Sequence, residues 1–414
     1  MPIDFELTEN TKIARDHYRT MAADQMRPLS RKYDDLEHEL PVEWVDYYWK
    51  HGRGGPEGLD YSKPADGFVQ VCVQAEELCW GDAGLYLRMP TAALGGSAVA
   101  AAGTKEQKER FLAPFKGDGA PVWGAMAITE PSAGSDSAAI QATAERDGDD
   151  YVLNGTKIFC TSGEAAAHHE GGFVVVWATV DKSAGRGGIK AFVVPAGTEG
   201  MRVVGCEKKL GIRASDTATL IFENCRVPAA NLLGSAEVRK KKKSGDGAKG
   251  KSGDKGFKGA MATFDASRPI VAAMAVGVGR AALDFLLEEL ERQGVPLRYD
   301  KGPHEQTAVE RDVIEMEAEL QTARLLTWRA AAMMTRGQPN NLEASMAKAK
   351  AGLAVTRITQ KAVEVLGPAG YSKKLLVEKW MRDAKINDIY EGTQQINQLI
   401  VARRILDYPS SMLR

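Results

Sequence analysis

Between Trp123 and about Leu233 the chain leaves helical spacing for short β-branched runs: VWGAMAIT, YVLNGTKIF, FVVVWATV, IKAFVVPA and ATLIFENCRV, divided by Gly, Asn, Asp and Pro. Runs of this length with no helical stretch between them imply strands joined by turns, so an antiparallel sandwich or barrel is expected. Leu153-Asn154-Gly155-Thr156 reads as a hairpin turn, because Asn and Gly tolerate positive φ. Helical patterns lie on both sides. The order defines an α+β chain: an N-terminal helical domain (1–122), a middle β-domain (123–234), a Lys- and Gly-rich insertion (235–259) and a C-terminal four-helix bundle (260–414). The insertion cannot fill a core and is read as a flexible segment, with an electrostatic arm for a phosphate or an acidic partner as the alternative.

Within the first domain, Thr8 is placed to cap a helix carrying Ile13, Tyr18 and Met21 inward. Pro41 opens another with Trp44, Tyr47, Tyr48 and Trp49, and His51–Gly58 is a Gly-rich break. Val69–Leu78 is helical. Pro90 and Gly95-Gly96 interrupt the apolar run that follows, and Thr104 caps Lys105–Leu112. In the last domain Ile270–Leu290, Ala308–Met334 and Leu342–Leu366 carry long apolar-periodic faces.

A net charge of -1 over 414 residues argues against a general nucleic-acid binder. The five Cys have no CxxC spacing and sit in apolar runs, which fits buried thiols in a reducing, cytoplasmic setting. His168-His169 has no partner at metal-ligand spacing and is read as a loop, so no metal is expected. The N-terminus lacks a presequence pattern, and no apolar run approaches the ~20 residues of a membrane span.

Near the C-terminus, Val377, Trp380, Met381 and Ala384 repeat at helical spacing, as do Ile396, Leu399 and Ile400. Between them lies Ile389-Tyr390-Glu391-Gly392-Thr393. Apolar neighbours raise a carboxyl pKa toward the range where a general base works near neutral pH, and Gly392 lets another molecule approach the backbone. The local pattern alone favours an ordinary helix–helix loop with a solvated Glu391.

Two stretches far apart decide between these. RDAKINDIYEGTQQI resembles the C-terminal signature of the acyl-CoA dehydrogenases, and Ala127–Asp136 (AITEPSAGSD) is similar to their flavin-binding signature. The resemblance implies an FAD enzyme of fatty acid β-oxidation that removes the α-proton of an acyl-CoA with Glu391 and gives the β-hydride to flavin N5. It also implies reoxidation by an electron-transfer flavoprotein and a homotetramer built as a dimer of dimers. By the same resemblance Met126, Ile128, Thr129, Gly134 and Ser135 meet FAD, with Ser135 also against substrate. Phe159 stands where a Trp usually stacks on the flavin, and Thr161 near N5; Phe159 as sandwich core is the alternative. Asp265, Ser267, Arg268, Tyr390, Gly392 and Arg403 fall at substrate positions, and Ser267 leaves Glu391 without a rival base. Tyr86, Leu87, Pro90 and Met274 fall where the acyl pocket is lined; the bulk of Tyr86 and Met274 suggests a short acyl group, or plain core packing.

Thr393 and Gln395 match flavin positions, and Arg292 matches an Arg that reaches the neighbouring subunit's FAD. Departures cluster here. Val295-Pro296 replaces an expected Phe-Gly, and Glu364–Gly370 lacks the usual Gln and double Gly around Gly367. Pro368 removes a donor and Glu364 adds a negative charge near the pyrophosphate, so weakened FAD retention is expected. An acyl-CoA oxidase of the same fold and an FAD-poor partner subunit are the alternatives.

Overall fold

A computed structural model describes residues 6–53, 66–238 and 256–408. They form two compact units: Met1–Tyr86 with Lys209–Ala214 and Asp265–Arg414, and Leu87–Lys208 with Ser215–Phe264. Most of the Gly-rich break and of the Lys-rich insertion lies outside the described residues.

The first unit is helical. Thr8 accepts from the Thr11 N–H and caps Glu9–Met21, whose Tyr18 and Met21 are buried, while Ile13 points outward and is 45% exposed. Pro41 precedes Val42–Tyr47, and the buried Trp44 donates its indole N–H to Leu85 O at 2.9 Å. Thr307 and Glu310 form a capping box that starts Ala308–Thr335, which packs on Asn341–Leu366. Helix Gln394–Ile405 packs on Asn341–Leu366 in turn, but only its Asn397 is buried; Leu399, expected inward, is 50% exposed. Contrary to the expectation that no run approaches a membrane span, Gly259–Arg292 of helix Gly256–Arg292, which contains the apolar-periodic Ile270–Leu290, is long and apolar enough by composition to cross one; it is mostly buried as a core helix.

A buried ionic cluster ties this unit together. Lys379 lies 2.7 Å from Asp82 and 2.5 Å from Asp383, all three essentially without solvent contact. Asp82 also accepts from the Leu85 N–H, and Asp383 from the Ile212 N–H at 2.5 Å, so segment 209–214 is held to the C-terminal helix Val377–Ala384. Gly211 makes the approach possible: a Cβ there would lie 2.4 Å from the Arg382 backbone.

The second unit is built on one seven-stranded sheet: β1 (Gly124–Ala127), β2 (Thr143–Asp147), β3 (Asp150–Thr161), β4 (Phe173–Thr179), β5 (Ile189–Pro195), β6 (Met201–Cys206) and β7 (Thr217–Pro228). The order is β1-β4-β2-β3-β7-β6, with β5 on β4. It is mixed rather than purely antiparallel, since β4 runs parallel to both β1 and β2. The β2–β3 hairpin and helix Gly163–His168 form the long connection such pairing needs, and that helix absorbs His168 from the expected loop. Every residue of β4 is buried, which is why FVVVWATV shows no alternation.

Asn154-Gly155 is not a turn. β3 runs through it with a shifted register, and the hairpin closes at Gly148-Asp149, where Gly148 has φ 60. Gly155, at φ 147, lies against Ala142: an added Cβ would sit 2.6 Å from the Ala142 Cβ. Gly155→Ala is therefore expected to cost about 1–3 kcal/mol, read as a lowered denaturation midpoint. Gly95-Gly96, expected as a break, sits inside helix Ala93–Ala102, because Gly95 lets that helix settle on β1 with the Ala125 carbonyl where a Cβ would be. The core below joins Trp177, Phe173, Val175, Val193, Phe111, Met126, Ile128 and Leu233.

Candidate active site

In the helical unit, Glu391 ends a short connection between helix Val377–Ala384 and helix Gln394–Ile405. Thr393 caps the second helix by accepting from the Ile396 N–H, which forces the chain to turn before it. Glu391 has φ 57 and Gly392 φ 90, a left-handed pair that a non-glycine residue adopts only when its surroundings hold it there. The Glu391 carbonyl accepts from Arg268 Nε at 3.3 Å, and the Gly392 carbonyl from Lys348 Nζ and Asn397 Nδ2, both at 2.8 Å.

The carboxylate accepts from the Ser267 hydroxyl at 2.7 Å. Although the residue as a whole is half-buried, burial of the carboxyl is the largest influence on its titration and pushes it up; Ser267, Arg268 and Lys348 pull the other way. Tyr390 donates its hydroxyl to Asn387 Oδ1 at 3.0 Å and lies 4.0 Å from the Met274 sulfur. Met274 is buried and Tyr86 half-buried.

Around Arg268 a chain of polar groups extends outward. Arg268 pairs with Asp265 at 3.0 Å, Asn341 donates to the same carboxylate at 2.7 Å, and Arg404 donates to Asn341 Oδ1 at 2.9 Å. Arg404, not Arg403, joins this network; the Arg403 side chain has no bond among the described residues. Ser267, expected at a substrate position and as a residue that cannot itself be a base, is the direct donor to the Glu391 carboxylate. Lys348 carries no sequence signal of its own, since it is one of three Lys in an Ala-rich helix.

In the sheet unit, Thr129 to Ser135 leave β1 and double back through a Glu130–Ala133 bridge. Glu130 anchors the loop: it lies 2.7 Å from the fully buried Lys157 and accepts from the Gln141 and Ala142 N–H groups. Burial pushes the Lys157 ammonium down to about 8, with Glu130 pulling it up. Ser132, Gly134 and Ser135 are exposed, with backbone N–H groups that no carbonyl takes among the described residues. Beside the loop, β3 breaks register between Lys157 and Cys160, and the Ile158 N–H donates to Thr129 O. There Phe159 turns outward at φ 58 and is 58% exposed, so it is not sandwich core. Thr161 closes the strand, half-buried; Leu87 is half-buried and Pro90 buried in this unit.

An outward-held aromatic ring beside an exposed loop with unused N–H donors suits a flat, hydrogen-bonding ring system. The elements read for the far end of the cofactor look different. Arg292 is exposed and chelated by Glu289 of its own helix at 2.7 Å. Glu364 is offset by Lys361 at 3.0 Å, which blunts the negative charge expected there. Gly367, at φ 57, ends its helix, and Pro368 starts the next short one. Gln395 is exposed. Among the described residues no cluster could hold a metal.

Three family profiles cover most of the chain: acyl-CoA dehydrogenase N-terminal domain over residues 8–116, middle domain over 125–225 and C-terminal domain over 254–406. The mitochondrial short-chain specific acyl-CoA dehydrogenase of Bos taurus is 37% identical over 412 residues, covering 97% of this chain and 91% of that protein. Butyryl-CoA dehydrogenase from Megasphaera elsdenii is 31% identical at a TM-score of 0.78, covering 98% of this chain and 100% of that one. A chain of a structure described as an electron transferring flavoprotein of Acidaminococcus fermentans is 32% identical at a TM-score of 0.83, with coverage of 98% and 100%.

Proposed function

The chain belongs to the acyl-CoA dehydrogenase family, and we propose that it desaturates short-chain acyl-CoA thioesters between the α- and β-carbons with Glu391 as the base. The observation that carries this reading is the Glu391 carboxylate itself: held by Ser267 on a strained turn, its pKa lifted by burial toward the working range of a base. Bound FAD supplies the hydride acceptor. Phe159 offers its face to the ring, Thr161 a hydroxyl, and Met126 to Ser135 the strand end and free N–H groups. Glu391 takes the α-proton at its carboxylate oxygen. The turn's own N–H is the donor suited to the thioester oxygen, where negative charge develops as the proton leaves.

Asp265, Ser267, Arg268, Tyr390 and Gly392 surround that step and are the substrate-side residues. Tyr86 and Met274 bring bulk that suits a short acyl chain, as does the identity to the Bos taurus protein. Arg292, Glu364, Gly367, Thr393 and Gln395 remain the proposed contacts for the rest of FAD. Electron-transfer flavoprotein as acceptor, a homotetramer and a cytoplasmic setting complete the proposal. The last is supported by five unpaired cysteines.

The test is spectroscopic. Purified protein is expected to be yellow and to bleach anaerobically with butyryl-CoA faster than with long-chain thioesters. Exhaustive dialysis is expected to strip part of the flavin, because Glu364 and Pro368 replace donors at the pyrophosphate. A colourless protein that takes up no FAD overturns the enzyme reading in favour of a partner subunit, and oxygen consumption on turnover marks an oxidase. Full flavin occupancy after dialysis overturns the retention argument alone.

A further inference from the structure

We propose that Lys348 is a positioning residue for the base: its ammonium fixes the Glu391–Gly392 turn through the Gly392 carbonyl and sets the charge state of Glu391 from behind. The inference rests on Glu391 being the base. Lys348 is 1% exposed on helix Asn341–Leu366, an environment that disfavours an ammonium unless it is used. It is used on the turn: Nζ donates to Gly392 O at 2.8 Å, and the Tyr390 ring lies 5.9 Å away. The helix reaches the turn because Gly352, one turn further on, has no side chain; a Cβ there would lie 2.7 Å from Asn387 O.

The charged groups facing Lys348 can be named element by element. From helix Gly256–Arg292 come Arg268 and its partner Asp265. From 385–393 come Glu391 and Asp388, the latter paired with Lys385 at 2.9 Å. Helix Gln394–Ile405 contributes the neutral Asn397, and its Arg404 is engaged by Asn341. Glu319 of helix Ala308–Thr335 is taken by Lys350. Burial pushes the Lys348 ammonium down to about 8, while Glu391 and Asp388 pull it up and Arg268 adds to the fall. Lys348 and Glu391 therefore shift toward each other, the pattern of groups tuned as a set.

The sign of the effect follows. Below about 8 Lys348 is charged, favours the Glu391 carboxylate and holds the turn with a charged donor. As pH rises through that value the ammonium is lost, so Glu391 loses a favourable charge and the Gly392 carbonyl loses its charged donor. Glu391 can accept a proton only once deprotonated, so activity should climb with pH and then decline above about 8 as the turn loses its charged anchor.

Four proteins test this: wild type, Lys348→Met, Lys348→Arg and the reference Glu391→Gln, each checked by thermal melting. The Glu391 carboxyl is titrated by infrared difference against Glu391→Gln, a readout independent of turnover. In Lys348→Met its midpoint should rise by about one unit. Anaerobic flavin bleaching should fall about tenfold in kcat with little change in KM, and its alkaline decline should vanish. Lys348→Arg should restore the Glu391 midpoint and remove the decline, because guanidinium does not deprotonate in this range. An unchanged Glu391 midpoint in Lys348→Met, or an alkaline decline that persists in Lys348→Arg, overturns the proposal. If Lys348→Met does not fold, the Lys348→Arg profile decides alone. Normal bleaching by Glu391→Gln would instead sink the base assignment, while the infrared titration would still report whether Lys348 sets that carboxyl.

Discussion

Glu391→Gln should bleach about 10²- to 10⁴-fold more slowly with acyl-CoA than wild type, while keeping its flavin and its melting temperature. The size follows from what is removed. Gln keeps the shape and can still meet the Ser267 hydroxyl, but it cannot accept the α-proton. The stability should hardly move, because the turn is anchored by its carbonyls to Arg268, Lys348 and Asn397 and not by the carboxylate. The pH profile adds a second check. Burial raises the Glu391 pKa, so the active carboxylate form is lost as pH falls through a value above that of a free Glu. Ser267→Ala should move that acid limb further up, since the hydroxyl, with Arg268 and Lys348, stabilises the charged form. A Glu391→Gln protein that bleaches at near wild-type rate would remove Glu391 from the chemistry whatever its surroundings.

Lys379→Met should be the most damaging single change to the helical unit, by about 3–5 kcal/mol. The ammonium lies within 2.7 Å of Asp82 and 2.5 Å of Asp383, and no solvent reaches any of the three. Met fills a similar volume but leaves two carboxylates facing each other without a cation. Urea denaturation at neutral pH measures the loss. Burial already pushes the Asp383 titration up, with Lys379 opposing it. With that opposition gone, a carboxyl whose folded pKa exceeds its unfolded value stabilises below the unfolded pKa and loses that as pH rises. The deficit against wild type should therefore narrow toward acidic pH. A deficit that is small, or that grows as pH falls, would mean that water reaches the cluster.

The layout of helices and strands was legible because burial periodicity is local: FVVVWATV and the amphipathic pattern around Trp380 state their own environments. Long motifs also pointed to the family and to Glu391, through residues whose chemistry is unusual in sequence. Three things were not legible. Asn154-Gly155 looks like a turn from its own residues, and only the neighbouring Ala142 shows that Gly is there for space. The outward face of Gln394–Ile405 shows the same apolar spacing as a buried one, so Leu399 was misplaced. The anchors of the Glu391–Gly392 turn include Lys348, which comes from another helix, and a pattern read along the chain cannot pair it with a carbonyl 44 residues away.

Segment 209–214 interrupts the sheet unit yet belongs with residues from both ends of the chain. The helical unit is thus assembled from three separated stretches, while the sheet unit needs little beyond one continuous span. On a ribosome, Asp82 emerges long before Lys379, so its buried seat cannot close until the last helices have left the tunnel. The order of maturation is thereby built in: the sheet can form early, and the Glu391 turn joins its scaffold only after helix Gln394–Ile405 has emerged.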